Sequence, residues 1–164
     1  MNMDKVEQHI ALQEAVEFLW KEAEILDRVD YPAWLDLWSE DGHYVVPGDP
    51  AVEDYAAHLN IAYDDAEMRR MRVQRLEGGF AISAAPPART VRLQSRFVVK
   101  DSSPDRLTLT CAQLLVEDKF GRQRSFPADV TYVLVRGESG LRIRDKVVRL
   151  LNCDGMLTSI SYLF

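Results

Sequence analysis

Four side chains that could move protons fall between residues 31 and 43: Tyr31, Asp36, Asp41 and His43. A carboxylate or imidazole base beside a tyrosine hydrogen-bond donor, at the mouth of an apolar cavity, suits the movement of protons on a small apolar substrate. Each residue also has a plain structural reading. Asp36 falls on the solvated face of a short helix, Asp41 in a turn and His43 at the start of a strand.

Other chemistries find less support. The histidines are His9, His43 and His58, and the cysteines are Cys111 and Cys153. No histidine stands two or three residues from a cysteine, as a Rieske iron–sulfur centre requires. His43 and His58 have no helical relation that would pair them on one metal with a carboxylate. Gly78-Gly79 lacks the Lys-Ser/Thr of a phosphate loop, and no Gly-x-Ser-x-Gly elbow occurs. Two cysteines without Cys-x-x-Cys spacing read as small core residues.

Charge is divided along the chain. Residues 1–68 carry 3 basic and 17 acidic side chains, and residues 69–164 carry 17 basic and 9 acidic, for a net charge of −6. That total disfavours broad attraction to nucleic acid or an anionic membrane. Arg69, Arg72, Arg75, Arg89, Arg92 and Arg96 form a basic set, and 15 of the 20 basic residues are arginine. Arginine suits bidentate pairing with protein carboxylates, so a network between helices or between subunits is the expected use.

These groups must be held by a scaffold, and 164 residues with 47% hydrophobic and 28% charged content suit one domain over residues 1–164. The acidic start lacks a secretory pattern, no apolar run reaches membrane-spanning length, and the cytoplasm is the expected location. Leu12, Val16, Leu19, Ala23 and Leu26 recur at helical spacing and predict a long amphipathic helix. Asp30-Tyr31-Pro32 starts a short second helix bearing Trp34 and Trp38. His43 to Val46, ended by Pro47, predicts a strand. Asp64 and Glu67 have capping-box spacing, and Gly78-Gly79 closes the helix between.

After Ala84-Ala85-Pro86-Pro87 the period changes to two. Val91, Leu93, Ser95, Phe97 and Val99 alternate with Arg92, Gln94, Arg96 and Lys100, which predicts a strand with the first set buried. Runs at 107–116, 126–135 and 141–151, joined by short turns, complete an antiparallel meander. Helices first and a curved antiparallel sheet second make an α+β domain.

Four segments carry a family resemblance: Glu14 to Leu26-Asp27; Trp34-Leu35-Asp36-Leu37-Trp38 through Asp41, Tyr44 and Pro47; Arg69 to Leu76; and Pro86-Pro87-Ala88-Arg89-Thr90 through Leu93 and Ser95. In this order the chain resembles the small β subunit of aromatic-ring-hydroxylating dioxygenases. These belong to the cone folds that include nuclear transport factor 2, scytalone dehydratase and ketosteroid isomerase. The resemblance implies a nuclear transport factor 2-like (cystatin-like) cone with no cofactor of its own. It implies a larger α subunit holding the Rieske [2Fe–2S] cluster and the mononuclear iron, and a trimer of β chains, with no nucleic-acid or membrane partner. Arg69, Arg72, Arg89, Arg92 and Arg96, with the apolar Tyr162 and Phe164, are then candidate interface residues, the last two lying in the sheet or at a subunit contact. The competing reading is a free-standing isomerase, dehydratase or cyclase of the same fold, using Tyr31 with Asp36 or His43 on an aromatic or polycyclic molecule.

Overall fold

The computed structural model describes residues 9–78, 88–151 and 163–164. Helix α1 (Leu12–Asp27) buries Ala15, Leu19, Glu22, Ala23 and Leu26. The buried stripe therefore runs through Ala15, while Leu12 is exposed and Val16 half-buried. Helix α2 (Tyr31–Leu35) starts where the sequence indicates: Asp30 Oδ1 accepts the Ala33 N–H at 3.2 Å and Pro32 sits in the first turn. Trp34, Trp38 and Tyr44 meet edge to face at 5.3–6.3 Å and anchor α2 to the sheet.

Strand β1 (Tyr44–Pro47) leads through a 3₁₀ turn (Tyr55–Ala57) to β2 (Asn60–Asp64), an edge strand the sequence reading leaves as loop. Helix α3 (Ala66–Gly78) follows. Its cap is Asp65, whose Oδ1 accepts the Met68 N–H at 2.9 Å, rather than Asp64. Asp64 ends β2 instead and pairs with Arg72. The continuation at Gly79 and the breaker at 84–87 lie outside the described residues.

Strands β3 (Arg89–Ser103), β4 (Arg106–Lys119), β5 (Arg122–Gly137) and β6 (Gly140–Leu150) form the expected meander. The strand order is β2-β1-β6-β5-β4-β3, and β1 runs parallel to β6, so the sheet is antiparallel everywhere else but not throughout. An extra residue at Arg144 and register shifts near Arg96 and Lys100 bend the strands around the helices. Gly42 fits under this bend because it has no Cβ, which would collide with the main-chain oxygen of Arg144. The result is a curved, unclosed sheet with helices on its concave side. Among the described residues, no helix is long and apolar enough to cross a membrane.

Strand β4 alternates cleanly, burying Leu107, Leu109, Cys111, Gln113, Leu115 and Glu117. Strand β3 reverses the expected parity. Register places Arg92 opposite the inward Leu115 and Leu93 opposite the outward Leu114, so Arg92 is buried while Val91 and Leu93 are 51% and 55% exposed. Arg96, at φ 57°, then shifts the register, and Phe97 turns back to pack its ring on Trp20 of α1 at 6.3 Å.

Candidate functional site

The centre of the cone holds an ion pair that the sequence reading does not pick out. Glu22 lies on the buried face of α1, and the bulge at Arg144 brings Lys146 of β6 to the inner face. Both are fully buried, with Lys146 Nζ 2.6 Å from Glu22 Oε1. Trp34 Nε1 donates to the same oxygen at 3.1 Å, and the Tyr132 hydroxyl donates to Glu22 Oε2 at 2.8 Å. Lys146 Nζ also donates to the main-chain oxygen of Phe164 at 2.7 Å. Burial lowers the Lys146 pKa against the pull of Glu22, and burial next to the Glu22 charge holds the Tyr132 hydroxyl well above its ordinary value. Each charge is thus met by an opposite charge and by further hydrogen bonds, as buried ions require.

A second layer closes the cone. Arg92 pairs with Asp27 of α1, which also accepts the Thr90 hydroxyl and the Arg92 N–H, each at 3.0 Å. The other arm of Arg92 donates to the main-chain oxygen of Leu163. The Phe164 N–H donates to the Tyr44 hydroxyl at 3.0 Å, and the Phe164 ring packs edgewise on Phe126 at 5.7 Å. Leu163 and Phe164 are 1% and 3% exposed and lie in no strand; side chains of Arg92, Tyr44 and Lys146 hold them against the inner face of the sheet. Among the described residues, Glu22, Lys146, Trp34, Tyr132 and the terminal nitrogens of Arg92 are directed at one another, at Asp27 and at residues 163–164, while Arg92 Nε, Gln94 Oε1 and Gln113 Nε2 are buried without a hydrogen-bond partner.

The acid–base group does not assemble. Tyr31 is buried, which raises its pKa despite the nearby Arg92. Asp36 is exposed beyond the end of α2, and its main-chain oxygen accepts from Arg142. Asp36 itself lines an open hollow of about 340 Å³ together with Trp38, Glu40, Arg69 and Arg70, without Tyr31, Asp41 or His43. Asp41 is exposed, and the Ser39 hydroxyl at 2.9 Å holds its carboxyl below the ordinary range. His43 stacks on Tyr63 at 5.2 Å, and its N–H donates to Asp145 Oδ1 at 3.0 Å. Among the described residues, no hydrogen bond joins any two of Tyr31, Asp36 and His43.

Nor does the donor set fit an iron centre. Among the described residues, no three His, Cys, Asp or Glu side chains converge. Cys111 is fully buried, and burial pushes its thiol up to about 12. His9 meets Ser102 at 3.0 Å and His58 meets the Asp54 main-chain oxygen at 2.8 Å, so the histidines serve separate local contacts. Cys153 lies outside the described residues.

The candidate interface arginines have uses within the chain. Arg69 is buried; it donates to Gly42 and Ser39 main-chain oxygens at 2.6 and 3.0 Å and stacks over Trp38 at 4.1 Å. Burial lowers its pKa. Arg72 grips Asp64 with two nitrogens, Arg96 pairs with Asp129 at the surface, and Arg89 is exposed. The acidic front and basic back of the sequence meet through Glu14–Arg136, Glu22–Lys146, Asp27–Arg92, Glu40–Arg70, Asp41–Arg144 and Asp64–Arg72. Tyr162 lies outside the described residues.

Apolar side chains left uncovered include Val91, Leu93 and Leu114, which share the convex face, Phe120 at the β4–β5 tip, 65% exposed, and Leu59 before β2.

Comparison with known proteins places this architecture. The chain is 31% identical over 152 residues to the anthranilate 1,2-dioxygenase small subunit of Acinetobacter baylyi, covering 90% of this chain and 91% of that one. Its backbone resembles the β subunit of the benzoate 1,2-dioxygenase of Burkholderia mallei, with a TM-score of 0.79 at 21% identity over 94% of this chain and 98% of that one. It also resembles a nuclear transport factor 2-like protein of cystatin-like fold from Novosphingobium aromaticivorans, with a TM-score of 0.59 at 18% identity over 85% and 81% of the two chains. The profile of the ring-hydroxylating β subunit matches residues 21–154, from the helix that bears Glu22 to just beyond the last strand, and this chain belongs to that family.

Proposed function

We propose that the chain is the assembly subunit of the terminal oxygenase of an aromatic-ring-hydroxylating dioxygenase, acting in the breakdown of aromatic compounds. The dioxygenase activity belongs to the complex and not to this chain alone. The observation that carries the reading is the state of the interior, where Glu22, Lys146, Tyr132 and Trp34 satisfy one another and residues 163–164 cover them. A cone built as a reaction vessel would direct some of these groups at a substrate. The larger partner carries the Rieske [2Fe–2S] cluster and the mononuclear iron, the β chains associate as a trimer, and the complex is cytoplasmic. Arg89 and the exposed ends of the sheet are the surfaces available for these contacts. A free-standing isomerase using Tyr31, Asp36 or His43 is not favoured, because those residues do not share a site.

The test is native mass spectrometry with iron analysis of the tagged chain, purified gently from its own organism. A particle containing a larger, iron-bearing chain with equal copies of this one is expected. An iron-free assembly of this chain alone would overturn the reading.

A further inference from the structure

The β4–β5 turn carries a residue poorly suited to its backbone. Lys119 and Arg122 pair in register and leave Phe120 and Gly121 to reverse the chain, with φ of 55° and 70°. Two-residue turns with both φ positive favour Asn-Gly or Gly-Gly, because a bulky side chain crowds the backbone there. Phe120 nevertheless holds the first position and is 65% exposed, so its own chain gains little burial from it. Lys119 Nζ lies 5.6 Å from the centre of its ring, and Lys119, Arg122 and Gln123 line a hollow of about 660 Å³ beside it. A strained backbone that holds an aromatic ring in water is the form of a binding anchor.

The far end of the sheet offers the complement. Leu59, just before edge strand β2, is 92% exposed. The approach to it carries exposed Glu53 and Asp54, neither of which forms an ion pair among the described residues. This loop is pinned rather than loose: Asn60 Nδ2 donates to the Tyr55 main-chain oxygen at 2.7 Å, and Arg149 donates to the Tyr55 hydroxyl. Strands β1, β6 and β5 separate β2 from β4, which at strand spacing is roughly 20 Å. The two knobs of one chain therefore cannot meet each other.

We propose that they meet between copies. Phe120 with Lys119 and Arg122 of one copy seats against Leu59 with Glu53 and Asp54 of the next. Such a head-to-tail contact uses two different patches of one surface, and it closes into a ring when the rotation between copies allows. The inference rests on the self-association proposed above and names the residues that carry it.

Sedimentation equilibrium of the full chain, and urea unfolding at dilutions where its copies have separated, test it together. Phe120→Asn is expected to act in opposite directions: the urea midpoint rises because asparagine tolerates the turn, while self-association weakens at least tenfold. Leu59→Ser is expected to weaken association similarly with the urea midpoint unmoved. Arg122→Glu and Glu53→Arg should each loosen the contact, and a chain carrying both should associate again. A wild-type chain that stays monomeric, or association unchanged in Phe120→Asn and Leu59→Ser, would overturn the proposal. Recovery of the iron-bearing partner is scored in parallel. If Phe120→Asn releases that partner while copies of this chain stay together, Phe120 serves the other contact and the proposal fails, with the assembly role intact. If the wild-type chain recovers no such partner, it is the assembly role that fails.

Discussion

The inside of the cone and the two ends of its sheet follow opposite rules. Inside, Glu22 and Lys146 are fully buried charges, yet each is matched and covered. At the ends, Phe120 and Leu59 are plain hydrocarbon, yet both are held in water, one on a strained backbone. The contrast shows that a buried acid and base do not by themselves mark a reactive site. Where a buried charge already has its counter-charge and its hydrogen bonds, as Glu22 and Lys146 do, the groups specify the packing, and function is to be sought where the chain departs from its own stability.

The sharpest way to break the contrast is to uncover one interior charge. Lys146→Ala should cost about 3–5 kcal/mol, because it leaves the Glu22 carboxylate buried without its cation. Replacing both, as Glu22→Leu with Lys146→Met, should cost much less, and urea unfolding of the two variants measures the difference. Equal losses would mean that the pair matters for its volume rather than its charge.

A milder challenge is alkaline pH. Burial raises the pKa of Cys111 from 9.0 to about 12, and Tyr44 and Tyr132 are raised as well. A raised pKa means that the folded state holds its proton longer, so this stability is complete below pH 9 and is lost as pH climbs toward 12. Each such group contributes a slope of about 1.4 kcal/mol per pH unit within its window. Lys146, with its pKa lowered by burial, works in the opposite direction as pH approaches 10.5. Urea midpoints from pH 8 to 11 should fall, and Cys111→Ala should flatten the early part of that fall.

The smallest effect belongs to the convex face. Leu93→Thr should shift stability by less than about 0.5 kcal/mol, because Leu93 is 55% exposed. A cost of 2 kcal/mol or more would show that β3 packs the way its sequence suggests.

That strand also shows what could be read beforehand. Asp30 and Pro32 announced α2 because a cap and a first-turn proline are local devices. The alternation of Val91 to Lys100 announced a strand, but alternation states only that two faces differ. The assumption that the apolar face is inward fails here, since the inner face at Arg92 is served by Asp27 and Leu163 from distant parts of the chain. Strand β2 leaves little trace in the sequence because Asn60 to Asp64 is short and exposes Ile61 and Tyr63. The central ion pair left a faint mark: Glu22 falls on the apolar stripe of α1, and β6 buries Leu141 and Ile143 at odd positions but Val148 and Leu150 at even ones, which requires a bulge. What could not be seen was that the two belong to each other.

Glu22 and Lys146 stand 124 positions apart, and the main-chain oxygen that Lys146 also holds is that of Phe164. During synthesis, therefore, the first long helix is made well before the strand and the two residues that settle its buried carboxylate. The meander can pair as it appears, since β3 to β6 are joined by short turns, but the buried carboxylate of α1 has no cation until β6 is made, and that cation lacks one acceptor until Phe164 arrives. Folding so dominated by distant contacts is slow for its size. Without residues 163–164, the buried ends of Arg92 and Lys146 would each lose a main-chain acceptor and Phe126 its ring partner, so the charged centre would be the last part of the cone to close.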